Sequence, residues 1–416
     1  MKASSLSEEI DPLLMAAQHS RSRFYQTFFK DVPKKLIRDW RWQLANRITN
    51  LQALQRFLNL SEAELSAFTL SNGNLPLSIT PHYMSLLDPN NPDQAIRKSV
   101  VPTHHEWIHD KFEQADPLGE DKNSPVPGLV HRYPDRVLFL VTNYCSVYCR
   151  YCTRSRLVGH SVNMEKNKSR WLTALNYIEK HSEIRDVLLS GGDPLTLPDE
   201  TLEWLISSIR KIPHVEIIRI GTKVPVVLPQ RITPALCRLL KKYHPIFLSL
   251  HFTHADELSE ETRIACNRLA NAGIVMGSQT VLLKGINDHP SVMKKLMRQL
   301  LTIRVKPYYI FQCDPILGSG HFRTRVETGI DIIRALRGHT SGYAVPNYVI
   351  DAPGGGGKIP LLPEYYQGRD GDEVVLKNYE GKLYRYPDPA GNVYQSQMES
   401  RELAQIDLTI FAGVQK

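Results

Sequence analysis

The chain of 416 residues has no apolar run long enough to cross a bilayer. Its longest, such as Val137-Leu138-Phe139-Leu140-Val141, fall far short of the roughly 20 residues a membrane helix needs. Its beginning, MKASSLSEEIDPLLMAAQHSRSR, has neither the apolar core nor the small-residue cleavage site of a secretory signal. A cytoplasmic location and no membrane partner are therefore expected. Blocks of like charge are also missing: 51 basic and 43 acidic residues leave a net charge of +8 spread along the sequence. Dispersed charge of this kind gives a solvated surface with a mild bias toward anionic ligands, and no nucleic-acid partner is expected. Low-complexity sequence is confined to the run Gly354–Gly357, and 42% hydrophobic side chains suit a folded chain of two or three domains.

Cysteine is scarce and unevenly placed. Cys237, Cys266 and Cys313 stand alone, whereas Cys145, Cys149 and Cys152 crowd together. A disulfide framework does not follow from that spacing; in a reducing compartment a thiol triplet suggests a metal.

Residues 1 to about 112 read as helical, with a capping-box pattern at Ser61 and Glu64 ahead of Leu65 and Phe68. The stretch 113–129, EQADPLGEDKNSPVPGL, is rich in Pro, Gly and acids and reads as a linker. A helical N-terminal domain with its linker is thus expected over 1–123. From Arg136 short apolar runs alternate with amphipathic ones. Strands are expected at 136–142, 186–190, 215–220, 246–251, 275–282 and 307–312, and helices at 164–181, 199–211, 233–243, 257–272, 290–303 and 323–337. Six βα units imply an α/β fold, an open parallel sheet or a partial barrel, with chemistry at the carboxyl ends of the strands. A seventh strand-like run, 343–350, leads to Asp351. This main domain is expected over 124–362, and a small β-containing C-terminal region over 363–416, with Glu380-Gly381 as a hairpin turn.

The triplet Cys145-x3-Cys149-x2-Cys152 follows the first strand of the βα array. Three thiolates on a four-iron cubane leave one iron open to bind and reduce a ligand, whereas a structural zinc takes four protein ligands. In Asp351-Ala-Pro-Gly-Gly-Gly-Gly-Lys358 the glycines offer unhindered amides to an anion. The P-loop spacing and its Ser or Thr are absent, so a nucleoside triphosphate is not expected. A lysine brought beside a phosphate-bearing aldehyde would instead suit a Schiff base with pyridoxal phosphate. Asp314 and Asp351 each follow a late strand, and two carboxylates at one mouth would favour a cation at the far end of a substrate.

With these motifs the chain resembles the lysine 2,3-aminomutase family of the radical S-adenosylmethionine (SAM) superfamily over about residues 35–362. The matching stretches include DWRWQLANRIT, SPVPGLVHRYPDRVL, DVLLSGGDPL, RIGTKVPVVLPQRITP, YYIFQCD, LRGHTSGYAVP and DAPGGGGKIP. The resemblance implies a partial (βα)6 barrel of radical SAM type with a helical N-terminal domain. It also implies an isomerase that moves the α-amino group of L-lysine to the β-carbon, giving β-lysine. The reaction would use a 5'-deoxyadenosyl radical on an amino acid held by pyridoxal 5'-phosphate (PLP).

Residue by residue, Cys145, Cys149 and Cys152 match the ligands of a [4Fe-4S] cluster and Lys358 the pyridoxal lysine. Arg132 and Tyr133 match residues near PLP, and Arg154 the arginine that receives the substrate carboxylate. Gly191, Gly192 and Asp193 match the turn that binds the amino group of SAM, while His251 and Gln279 match polar cofactor contacts. Asp314 and Asp351 match the pair that holds the distal ammonium. An electron donor such as flavodoxin or ferredoxin is implied, and a homo-oligomer is open. Clostridial-type relatives carry a cysteine after a Gly-x-Asn-Asp turn and further cysteines near the C-terminus; here the turn is Gly285-Ile-Asn-Asp-His289 and no cysteine follows Cys313, so zinc is not expected. The alternatives are an arginine 2,3-aminomutase and, from another class, an iron-sulfur binding or regulatory protein without mutase activity.

Overall fold

A computed structural model describes residues 21–70, 75–159 and 164–388. Among these, no helix is long and apolar enough to cross a membrane. The described chain up to Leu361 makes one compact unit and the chain from Leu362 a second.

The first unit is built on a nine-stranded sheet in sequential order. Its strands are β1 (Leu129–Tyr133), β2 (Arg136–Thr142), β3 (Asp186–Gly191), β4 (Ile217–Thr222), β5 (Ile246–His251), β6 (Val275–Leu282), β7 (Lys306–Gln312), β8 (Asn347–Ala352) and β9 (Gly357–Leu361). Strands β2 to β8 are parallel, and β1 and β9 are antiparallel edges. Helices Met164–Lys180, Asp199–Arg210, Pro234–Lys241, Glu260–Asn271, Pro290–Thr302 and Val326–Leu336 follow β2 to β7 in turn. Six βα units and one further parallel strand form a nearly closed barrel of the α/β class.

Alternation along the strands shows which face is which. In β2 Val137, Phe139 and Val141 are buried while Leu138 and Leu140 are half-buried; in β6 Met276, Ser278, Thr280 and Leu282 are buried while Gln279 and Val281 are half-buried. Right-handed crossovers place all the helices on one side, so the buried set lies under them. The half-buried set faces inward and lines a space without filling it.

The short helices before β1, such as Trp40–Ala45 and Glu62–Thr69, do not fold around a core of their own. Trp40, Leu54, Ile79, Tyr83 and Ile96 belong to the same apolar cluster as the barrel. The division expected near residue 123 therefore does not separate two units. Nor is 113–129 a linker: Glu113 and Glu120 are buried, Gln114 bridges Ile316, and Leu129 already lies in β1. The acids and turn formers that suggest a linker are here consumed by tertiary contacts.

The capping box is present, with Ser61 N donating to Glu64 Oε2 at 2.8 Å and Glu64 N to Ser61 Oγ at 3.3 Å. Glu64 also receives the fully buried Arg97 through both oxygens, at 2.9 and 2.7 Å, and the rest of that guanidinium donates to the carbonyls of Asn59, Asp88 and Pro89. The second unit is a three-stranded antiparallel sheet, β10 (Tyr366–Asp370), β11 (Glu373–Lys377) and β12 (Leu383–Pro387). The turn between β11 and β12 holds Gly381 at φ +81°, in the left-handed region a hairpin turn requires.

Removing Arg97 would leave Glu64 as a buried charge without its partner. Arg97→Met is expected to cost about 3–5 kcal/mol of stability by urea denaturation. A loss below about 1 kcal/mol would mean that the pair behaves as an exposed one.

Candidate active site

The carboxyl ends of β2 and β3 are pressed together backbone to backbone. Gly192 N donates to Thr142 O at 2.6 Å and Asp193 N to Tyr144 O at 2.8 Å. A Cβ on Gly191 would stand 2.1 Å from Thr142 O, and one on Gly192 2.4 Å from Tyr144 O, so both positions require glycine. This contact anchors the start of the loop that carries the cysteines. Asp193 does not face that loop with a free carboxylate. It accepts from Thr222 Oγ1 and Lys223 N, both at 2.7 Å, and from Leu195 N at 3.1 Å. Its side chain ties β3 to β4 through these three donors.

Cys145, Cys149 and Cys152 are free thiols. Burial pushes all three up, Cys152 to about 11, and the other thiols of the triplet raise Cys145 and Cys152 further. Thiols that feel one another in a buried site become thiolates only with a positive partner. Among the described residues no three His, Cys, Asp or Glu side chains are gathered as ligands of a single metal ion. A four-iron cluster asks for something else, since each cysteine binds its own iron. The donor set fits such a cluster.

Behind Cys149 lies a buried polar group absent from the sequence reading. Lys223 Nζ donates to Glu257 Oε1 at 2.7 Å and to Thr253 Oγ1 at 2.9 Å; Tyr83 OH donates to the same Glu257 oxygen at 2.6 Å, and Tyr151 OH meets Thr253 Oγ1 at 2.7 Å. These contacts bind the helical N-terminus, the cysteine loop, β4 and β5 into one network.

On the opposite edge of the sheet, the glycines form the turn of the β8–β9 hairpin. Gly354, Gly355 and Gly357 have φ of +69°, +99° and +88°. The turn sets Lys358 directly opposite Asp351, and Lys358 Nζ reaches both carboxylate oxygens at 3.0 and 3.1 Å. Asp351 thus lies within β8, and Lys358 on a strand instead of a loose loop. Side chains of β1 hold the turn: Arg132 Nε donates to Gly355 O at 3.0 Å, and Tyr133 OH accepts from Lys358 N at 2.9 Å. Arg136 lies over the Tyr133 ring at 3.9 Å. Arg132 Nη2 is buried with no protein partner, beside the glycine turn that its Nε holds. That orphaned donor, with Arg136 over the same Tyr133 ring, fits a phosphate group.

Asp314 stands just past β7 and accepts from Thr153 Oγ1 at 2.9 Å. Burial pushes its carboxyl up to about 6; the charge of Asp351 adds to the rise, while Thr153, Lys358 and Arg154 oppose it. Asp314, Asp351, Lys358 and Arg154 therefore share one space. Arg154 is held on its inner edge by Glu120, with Nε 3.1 and 3.0 Å from the two oxygens and Nη2 2.7 Å from Oε1. Glu120 lies in the stretch 113–129, whose composition is that of a linker. His251 and Gln279 are register partners on β5 and β6 at the same end. Burial lowers His251 to about 4, helped by the charges of Lys223 and Arg154, so it is neutral at physiological pH. His289 caps the helix Pro290–Thr302 through Ser291 N.

The geometry is matched by sequence relationships. A family model described as Radical SAM superfamily matches residues 139–296, which run from within β2 to the middle of the helix after β6. One described as Lysine-2,3-aminomutase matches residues 333–409. An L-lysine 2,3-aminomutase of Bacillus subtilis (strain 168) is 53% identical over 87% of this chain and 76% of its own length. That of Clostridium subterminale is 52% identical over 87% of this chain and 86% of its own. A glutamate 2,3-aminomutase of Clostridioides difficile (strain 630) is 44% identical over 84% of this chain and 83% of its own. A nearly closed radical SAM barrel, a cysteine triplet on the loop after β2 and identity of this extent to several such enzymes make this chain a member of the lysine 2,3-aminomutase family, and a radical SAM aminomutase.

Proposed function

We propose that this aminomutase acts on L-lysine, moving its α-nitrogen to the β-carbon with the help of PLP. One observation carries the choice of substrate: a primary ammonium, that of Lys358, already sits on Asp351 with the carboxyl of Asp314 beside it. The same acidic pair would repel the distal carboxylate of glutamate, which weighs against the activity named for the glutamate relative.

Cys145, Cys149 and Cys152 would hold the [4Fe-4S] cluster, and Lys358 the PLP, with Arg132, Tyr133 and the glycine turn around its phosphate. When bound, the cluster with SAM supplies a hydrogen-abstracting radical, and PLP supplies a π-system conjugated to the migrating nitrogen. The chain's own residues do the rest. Arg154 receives the α-carboxylate, Asp314 and Asp351 hold the distal cation, and these two anchors fix Cβ along the substrate. Neutral His251, with Gln279 beside it, offers hydrogen bonds to the cofactors without adding charge. Gly191 and Gly192 leave backbone carbonyls at the mouth, suited to an ammonium group. The electron that starts the reaction would come from a donor of flavodoxin or ferredoxin type.

The test is to give the reduced, cofactor-loaded protein lysine, arginine and glutamate separately and analyse the products by mass spectrometry. β-Lysine is expected as the main product; turnover of glutamate in preference to lysine would overturn the reading. Asp314→Asn should lower kcat/KM for lysine about ten- to a hundred-fold, since a hydrogen bond to an ionised group is worth roughly 1.5–3 kcal/mol.

Asp314 also predicts a pH dependence. An ionised carboxylate holds a cation better than a neutral one, and Asp314 ionises as pH rises through about 6. Lysine affinity should therefore increase between pH 5 and 7, and Asp314→Asn should flatten that rise in a calorimetric titration. An undiminished rise in the variant would assign it to another group.

A further inference from the structure

Arg154 and Glu120 are paired in a way that leaves half of the guanidinium unused. The carboxylate takes Nε and one N–H of Nη2, at 2.7–3.1 Å. A guanidinium has five N–H donors, so both on Nη1 and one on Nη2 are left over on the outer edge. The pair is also lopsided in burial: the Glu120 side chain is 9% exposed and that of Arg154 22%. Its open part thus belongs to Arg154, which lines a cavity of about 120 Å³ together with Thr142, Gly191 and Arg170.

Glu120 is itself rigidly held. Asp116 accepts the amides of Glu120 and Asp121 at 3.0 and 2.9 Å, Asn123 Nδ2 donates to Gly119 O, and Ser124 Oγ donates to Glu120 O. Arg156 ties the same segment to the cysteine loop through Asp116 and Asp121. The segment also supports the other side of the site, because Pro117 O accepts Gly354 N at 3.0 Å in the turn ahead of Lys358.

We propose that Glu120 is a positioning residue for substrate recognition. It clamps the inner edge of Arg154, so that the outer edge meets the substrate's α-carboxylate at a fixed distance from the Asp314–Asp351 pair. The opposite arrangement, in which Glu120 occupies the place of the substrate carboxylate and is displaced by it, would strand a buried carboxylate without a partner. A guanidinium can serve two carboxylates on two edges, so clamping avoids that cost. The proposal rests on the reading of Arg154 as the carboxylate receptor of a lysine mutase.

The experiment measures equilibrium binding to the cofactor-loaded enzyme without reductant, so that no turnover occurs. Lysine is compared with 1,5-diaminopentane, which keeps both amines and lacks the carboxylate. Glu120→Gln is expected to weaken lysine about ten-fold or more and to leave the diamine within about two-fold, because only lysine uses the clamped arginine. Unchanged or tighter lysine binding would overturn the clamp in favour of displacement, and equal weakening of both ligands would reduce Glu120 to a structural role. Glu120→Asp keeps the charge and shortens the reach; it carries the same expectations and serves if the glutamine variant loses its fold or its cluster absorbance. A wild-type enzyme that binds arginine instead of lysine would refute the lysine reading alone, and the comparison would then use arginine and agmatine.

Discussion

The site depends on one rung of the β8–β9 hairpin, where Lys358 donates to both oxygens of Asp351. Side chains on a strand alternate between faces, so a slip of one residue would send Lys358 to the wrong side of the sheet. The register is fixed by the glycine turn, and the turn by its neighbours: Pro117 O, Arg132 and Tyr133 hold three successive parts of it. Because Arg132 and Tyr133 come from β1, these contacts also bring together the two antiparallel edges of the sheet. Near-closure of the barrel and placement of the lysine are one event.

The charged groups of the site are kept in balance by the chain itself. An ammonium rests on Asp351, and a carboxylate rests on Arg154. Each of these charges has a partner of opposite sign, which is why so many can share a half-buried space. The inward face of the strands is consistent with this, since its side chains line a volume and leave it open for cofactors and substrate. The thiol triplet lies at the other wall, where the network of Lys223, Glu257, Thr253 and Tyr151 supports it from behind.

What was legible in the sequence was whatever has a short-range signature. Alternating and amphipathic periods gave the six βα units, Ser61 and Glu64 marked a helix start, and Gly381 marked a hairpin turn. The cysteine spacing stood out because few other chemistries need it, and the glycine-lysine run gained its meaning only beside that triplet. Long-range partners were not legible. EQADPLGEDKNSPVPGL has the composition of a linker, and nothing local tells a linker from an ordered segment whose Glu120 meets an arginine 34 residues away. The same limit applies to Asp193, whose neighbours Gly191 and Gly192 mark the site while its own carboxylate turns toward β4. Lys358 could be picked out by type, but that it stands on a strand opposite Asp351 is a matter of register.

The central claim is that Lys358 is the amine through which this site takes up PLP. Borohydride reduction of the PLP-loaded protein, followed by peptide mapping with mass spectrometry, tests it most directly. The account predicts a pyridoxyl group on the peptide that contains Lys358, and none in Lys358→Ala. A pyridoxyl group on another lysine of the barrel, such as buried Lys223, or undiminished labelling of the alanine variant, would contradict it.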